Sequence, residues 1–194
     1  MPITIFASYY IRPWYNEVIP GSKVYIGAVP LTFMGHMDLL EKELEVVGVI
    51  NVMAEFDGPT TEYEKRNMHQ LHIPTPDHME PELNDIRQGV NYLKDYCPHP
   101  PKVDGQGNVI SNDRPCKGVY VHCKGGVGRS ATIVFCWLLE TQGLGLIGTQ
   151  KYFNSRRLVS KSLYKRPNVL AFYKLLQEGR LDQTQEIEET RKDI

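Results

Sequence analysis

The chain reads as an α/β protein: a single domain with a central, mostly parallel sheet and helices on both faces. Three observations predict this. Short β-branched or aromatic runs alternate along the chain with segments of helical period. The composition, 194 residues with 41% hydrophobic, suits one substantial core. A glycine-rich stretch joins a strand-like run to an apolar helix, at the carboxyl end of a strand, where the sites of open α/β sheets lie.

The elements follow in order. Residues 1–15 are rich in aromatics and read as cover for the core, with a partner or a membrane surface as the other uses of such a segment. Lys23 to Gly27 reads as a strand, His36 to Leu44 as a helix and Val49 to Val52 as a second strand. Gln70 to Ile73 is strand-like and runs into a loop punctuated by Pro74, Pro76 and Pro81. Leu83, Ile86, Val90, Leu93 and Cys97 recur at helical spacing, and Pro81 fits a first turn, so Pro81 to Tyr96 is predicted as a helix. Pro98 to Pro115 reads as an inserted surface loop. Gly118 to His122 is a strand, Ala131 to Leu139 an apolar helix and Thr149 to Leu158 another. Pro167 to Glu178 turns Val169, Leu170, Tyr173 and Leu176 inward, and Gly179 stops it. Residues 181–194 form a polar tail beyond a domain of residues 1–180.

Charge and cysteine usage exclude several classes. A net charge of −1 offers no bulk attraction to nucleic acid, and the six histidines are scattered without metal-ligand spacing. No apolar run approaches the roughly 18 residues of a membrane span, and no signal or transit peptide is visible near the start. The cysteines, at 97, 116, 123 and 136, show no disulfide framework. Cys136 falls on an apolar helix and reads as core; Cys97 and Cys116 bracket the insert and are expected as free thiols, with pairing under oxidation as the alternative.

The chemistry concentrates in Val119-Tyr-Val-His-Cys-Lys-Gly-Gly-Val-Gly-Arg-Ser130. Read as His122-Cys123-x5-Arg129-Ser130, it is the signature of cysteine-dependent phosphatases. Backbone N–H groups of residues 124–128, Lys124, Gly125, Gly126, Val127 and Gly128, would converge on an anion at a helix N-terminus. Cys123 is the candidate nucleophile, as a thiolate whose pKa the helix dipole, the amides and Arg129 should lower from about 8.5. Arg129 offers a planar fork of donors to two phosphoryl oxygens, which lysine could not. The glycines allow a tight turn and close approach. Ser130 can donate to the sulfur and so ease departure of the thiolate, and His122 is expected to hydrogen-bond nearby backbone and fix the loop. The bland alternative is a glycine-rich turn with a buried cysteine. A Walker loop is excluded, because no Gly-Lys-Ser/Thr follows the glycines.

With that loop, the sequence resembles the dual-specificity branch of the protein-tyrosine phosphatase superfamily, and within it the mitochondrial PTP-like phosphatidylglycerophosphate phosphatase group. Val24-Tyr-Ile-Gly-Ala-Val-Pro-Leu31, Gly48-Val-Ile-Asn-Val52, Ile73-Pro-Thr-Pro-Asp77 and Lys165-Arg-Pro-Asn-Val169 also match, so the likeness spans most of residues 18–178. The resemblance implies a single-domain cysteine-phosphatase fold and metal-independent, cofactor-free hydrolysis of a phosphomonoester through a phosphocysteine. It also implies Asp77 as the acid that protonates the leaving oxygen, with Glu80 as the alternative and a turn-forming aspartate as the bland reading.

The implied substrate is a phosphorylated lipid, phosphatidylglycerophosphate or a phosphoinositide. Lys124 matches the group's loop, whereas Val127 stands where its members tend to carry a basic residue, which leaves a phosphoprotein substrate as the alternative. A catalytically weak phosphate-binding module is the remaining one. The cluster Arg156, Arg157, Lys161, Lys165 and Arg166 reads either as a steering patch for an anionic substrate or as a solvated face. A catalytic thiolate implies a reducing compartment, cytoplasmic or mitochondrial, and peripheral membrane contact is compatible with a lipid substrate.

Overall fold

The computed structural model describes residues 13–111 and 116–179. Its sheet has five strands: β1 (Tyr15–Glu17), β2 (Val24–Gly27), β3 (Val46–Asn51), β4 (His69–His72) and β7 (Gly118–His122). Their spatial order is β1-β2-β7-β3-β4. Only the β1–β2 pair is antiparallel; β2, β7, β3 and β4 run parallel. The loops after β2, β3, β4 and β7 therefore all leave from the same edge of the sheet, and β7 at its centre runs directly into residues 123–129.

Both faces are covered, as patterning predicts. One face packs against α3 (Leu83–Tyr96), α4 (Arg129–Gln142), α5 (Gly145–Arg156) and α6 (Pro167–Gln177), burying Ile50, Val119, Val121, Ile86, Ile133 and Phe172. The other packs against α1 (His36–Asp38, continuing as a wider π turn over Leu39–Glu43) and α2 (Thr60–Lys65), burying Met37, Leu40, Tyr63, Val46, Val49 and Tyr120. Strand β3 keeps Val46 and Val49 on one face although they are an odd number of residues apart. A bulge between Val46 and Gly48 supplies the extra residue. Gly48 then faces α3, where a Cβ would lie 3.1 Å from the Tyr92 hydroxyl and the Tyr96 ring.

Several expectations are adjusted. Edge strand β1 and helix α2 have no strong periodic signal and were absent from the sequence reading. Helix α5 begins at Gly145, four residues before the expected Thr149. Within the expected surface loop, β5 (Lys102–Val103) and β6 (Val109–Ser111) form an antiparallel hairpin. The Val103 N–H donates to Gln142 Oε1 (3.1 Å), docking the hairpin on α4.

The expectation of free thiols at Cys97 and Cys116 is wrong: they form a disulfide, with Cα atoms 4.5 Å apart. The C-terminus of α3 and the approach to β7 meet there, and the Lys117 N–H donates to the Tyr96 carbonyl (3.0 Å). Linear spacing could not show that the insert leaves and returns at one point. Cys123 and Cys136 are free and buried. Trp14 is buried on the α1 face, consistent with the core-cover reading of its segment; residues 1–12 and the tail 181–194 lie outside the described residues.

Candidate active site

Whether residues 123–129 can hold an anion depends on where their backbone carbonyls go, since outward carbonyls leave amides free to point inward. All five carbonyls from 124 to 128 are bound from outside. Lys124 O accepts from the Val29 N–H (3.3 Å) and Val127 O from the Ser160 N–H (3.0 Å). Gly125 O and Gly126 O accept from Arg157 Nη2 (3.2 Å) and Nε (3.0 Å). Gly128 O accepts from the Thr132 N–H (3.0 Å), Thr132 Oγ1 (3.0 Å) and Arg166 Nη1 (3.2 Å). Gly126 is the loop glycine with positive φ, +67°, and a Cβ there would lie 2.5 Å from the Gly27 carbonyl. Its lack of a side chain lets the loop pack against the end of β2.

Cys123 sits buried at the floor. Burial alone pushes its thiol pKa up, but the Ser130 hydroxyl and the Ser130, Val127 and Gly125 amides outweigh it, so the pKa is held below its ordinary value. Ser130 Oγ lies 3.2 Å from Sγ, donating as the sequence suggests. His122 is fully buried and stacks on Tyr120, ring centroids 5.9 Å apart. Its nearby-backbone partner is Cys123, met in a hydrogen bond of less than ideal geometry. Burial keeps the imidazole neutral, its pKa pushed down to about 3.

Arg129 starts α4 and is buried, yet its guanidinium is fully engaged. Nη1 and Nη2 grip Glu55 in a bidentate pair (2.6 and 2.7 Å), and Nη1 also reaches the Thr75 carbonyl (2.9 Å). The pairing holds Glu55 below the usual carboxylate range. Asp77 faces the same fork, Oδ1 lying 3.0 Å from Nη2, and its Oδ2 is 3.7 Å from Lys124 Nζ. The alternative acid, Glu80, is turned away, its Oε1 accepting the Asn168 N–H at 3.1 Å.

Two functional positions escaped the sequence reading. Glu55 follows β3 at the sheet edge shared with the loop; an acidic residue just past a parallel strand was the available signal. Arg157 was read as steering or solvated, but it is buried. Besides the loop carbonyls it donates to Pro13 O (3.1 Å) and Asn16 Oδ1 (2.7 Å), tying the loop to the first strand. Of the same cluster, Lys161 and Lys165 are exposed, while Arg166 lines the cavity over the loop.

That cavity has a volume of about 520 Å³. Cys123, Lys124, Arg129 and Asp77 line it together with the apolar Ala28, Val29, Leu31, Met34 and Met79. The arrangement offers a nucleophile, an anion cradle, a carboxyl group beside it and room for an apolar substrate portion.

Residues 31–168 match the family "Dual specificity phosphatase, catalytic domain". Phosphatidylglycerophosphate phosphatase PTPMT2 of Arabidopsis thaliana is 31% identical over 147 residues, covering 74% of this chain and 55% of that protein. Human phosphatidylglycerophosphatase and protein-tyrosine phosphatase 1 is 30% identical over 135 residues, 66% of this chain and 57% of its own length. The chain thus spans little more than half of these relatives. A crystal structure of PTPMT1 superposes with a TM-score of 0.64 at 25% identity, covering 89% of this chain and 99% of that one. Because the family match takes in most of the chain, with Cys123, Arg129 and Asp77 inside it, the chain belongs to the dual-specificity phosphatase family.

Proposed function

We propose that this chain hydrolyses the phosphomonoester of a phospholipid head group, with phosphatidylglycerophosphate and phosphoinositides as the substrate class. The observation that carries this reading is the juxtaposition, in one cavity, of the Cys123 loop and the apolar wall of Ala28, Val29, Leu31, Met34 and Met79. Such a wall suits a substrate whose phosphate is joined to an apolar portion. The relatives named as phosphatidylglycerophosphate phosphatases support the same reading.

In the proposed reaction the Cys123 thiolate attacks phosphorus, an S–P bond forms and the bridging P–O bond breaks. Asp77 gives its proton to the departing alkoxide. The incoming phosphoryl group competes with Asp77 for Arg129 Nη2, and the Gly125 to Ser130 amides and the guanidinium stabilise charge on the equatorial oxygens. Water, losing a proton to Asp77, then attacks the phosphocysteine; the S–P bond breaks, Ser130 stabilises the returning thiolate and inorganic phosphate leaves. Glu55 holds the Arg129 fork in plane throughout. Lys124 and Arg166, which line the cavity, contact the rest of the anionic head group.

Val127, an apolar side chain in the cradle wall, favours a second reading in which a less anionic phosphotyrosine or phosphothreonine peptide is the substrate. Side-by-side turnover of phospholipid, phosphopeptide and phosphoglucan decides: the lipid reading predicts the highest kcat/KM on lipid. Phosphopeptides turned over at least as efficiently as every lipid would replace it with the second.

A further inference from the structure

We infer that the turn carrying Phe33, together with Met79 across the cavity mouth, is a docking rim for a phospholipid surface. This rests on the lipid reading above and adds how the substrate is approached.

Phe33 is 80% exposed and Met79 60%. They lie on segments far apart in sequence but flank one opening: Met79 lines the cavity, and Phe33 sits between Leu31 and Met34, which also line it. Exposed apolar residues scattered singly need no explanation, but one that lines a site and another between two residues lining the same site do.

The Phe33 turn is held in shape from beneath. Thr32–Met34 is a single 3-10 turn, closed by Met34 N–H to Leu31 O and Gly35 N–H to Thr32 O, both 3.2 Å. The Leu31 N–H donates to His36 Nδ1 (3.0 Å), and the His36 ring stacks on Trp14 with centroids 3.9 Å apart. Buried side chains thus fix the base of the turn while its phenyl ring projects outward.

Charge selects the occupant. From Gly27 to Met37 the sequence has no Asp, Glu, Lys or Arg, whereas the cavity itself is lined by the cations Lys124, Arg129 and Arg166 with one carboxylate, Asp77, paired to the first two. The matching partner is an amphiphile whose phosphate stands away from an apolar layer. A phospholipid head group rises from the bilayer in that way, so the phosphate can reach the cradle while the rim dips toward the acyl boundary.

The test uses the full chain with vesicles of phosphatidylcholine and phosphatidylglycerol, comparing wild type, Phe33→Ser and Phe33→Trp. Aryl phosphate turnover should be equal in all three, showing intact sites. Vesicle sedimentation should fall about tenfold for Phe33→Ser and be kept by Phe33→Trp, whose added indole emission should shift to the blue on vesicles. Turnover of a vesicle-embedded lipid should fall with binding in Phe33→Ser, while the same head group on short chains, monomeric in solution, should be unaffected. Equal sedimentation of wild type and Phe33→Ser would overturn the inference, as would an emission shift caused by a phosphopeptide and not by vesicles. Phe33-dependent vesicle binding without hydrolysis of any phospholipid would uphold the rim and reject the lipid-substrate reading.

Discussion

The two loops that meet at the site are built in opposite ways. In the nucleophile loop each carbonyl from Lys124 to Gly128 has an outside donor, and the Arg157 clamp beneath it is buried. The loop that carries Asp77 has its main chain tied to other segments near its two ends, and between them the Asp77 carboxylate meets Arg129 and Lys124. At one end, Thr75 O accepts from Ala54 N–H (3.1 Å) and from Arg129; at the other, Glu80 and Pro81 are tied to Asn168. Between the pins, Asp77, His78 and Met79 are exposed. An anion cradle gains from donors that need no reorganisation, whereas in the proposed reaction Asp77 releases Arg129, gives up a proton and takes one back.

The sharpest test of the rigid loop is its sulfur. Cys123→Ser should reduce turnover of every substrate to background while phosphate binding survives, because the amides and Arg129 remain. An active serine variant would end the covalent mechanism. Next in size, Asp77→Ala should lose about 10² to 10⁴ in rate on alkyl or lipid phosphates. It should lose far less on an aryl phosphate with a good leaving group, and a phosphoenzyme should accumulate on Cys123. Equal losses on both substrates would make Asp77 structural and return attention to Glu80.

Arg157→Met asks whether the clamp aims the amides. It strips the donors from two loop carbonyls and should lower stability by about 3 kcal/mol in urea unfolding, each orphaned buried group costing about 1 to 3 kcal/mol. Lipid and aryl kcat/KM should fall together, by about 10², the size of one lost oxyanion donor. A folded variant with unchanged kcat/KM would show that the loop keeps its shape without Arg157. Ser130→Ala should move the midpoint of Cys123 alkylation by iodoacetamide toward higher pH. The sign follows from the depressed thiol: thiolate persists above the folded pKa, is lost as pH falls through it, and removing a donor to sulfur moves that loss upward.

The smallest expected effect lies where the loops touch. Lys124, 3.7 Å from Asp77, contacts the head group in the proposed reaction. Lys124→Ala should cost about tenfold in kcat/KM on an anionic lipid, roughly 1.4 kcal/mol, and less on an aryl phosphate whose leaving group is uncharged. Added salt should reduce the lipid rate more than the aryl rate, exposed cations being screened over about 10 Å at 0.1 M. A uniform loss on both substrates would assign Lys124 to holding the acid loop.

The sequence by itself determined the fold class and the core of the site, because these rest on short-range pattern. Strand period, helical period and the run from His122 to Ser130 place β7, the loop and α4 in one contiguous stretch, and Ser130 reaches Cys123 across a single turn of chain. The family likeness added Asp77. Tertiary structure alone decided what converges from a distance. Glu55 meets Arg129 across 74 residues, because parallel strands deliver their carboxyl ends to one edge, and Arg157 meets Gly126 across 31, because α5 ends beside the loop. It also brought Cys97 to Cys116, contrary to the expectation of two free thiols, and brought Leu31 and Met34, on either side of Phe33, to the same cavity as Met79. Local propensity carries no information about which distant residue will satisfy a buried carbonyl or guanidinium, since that partner is chosen only when the sheet closes the distance.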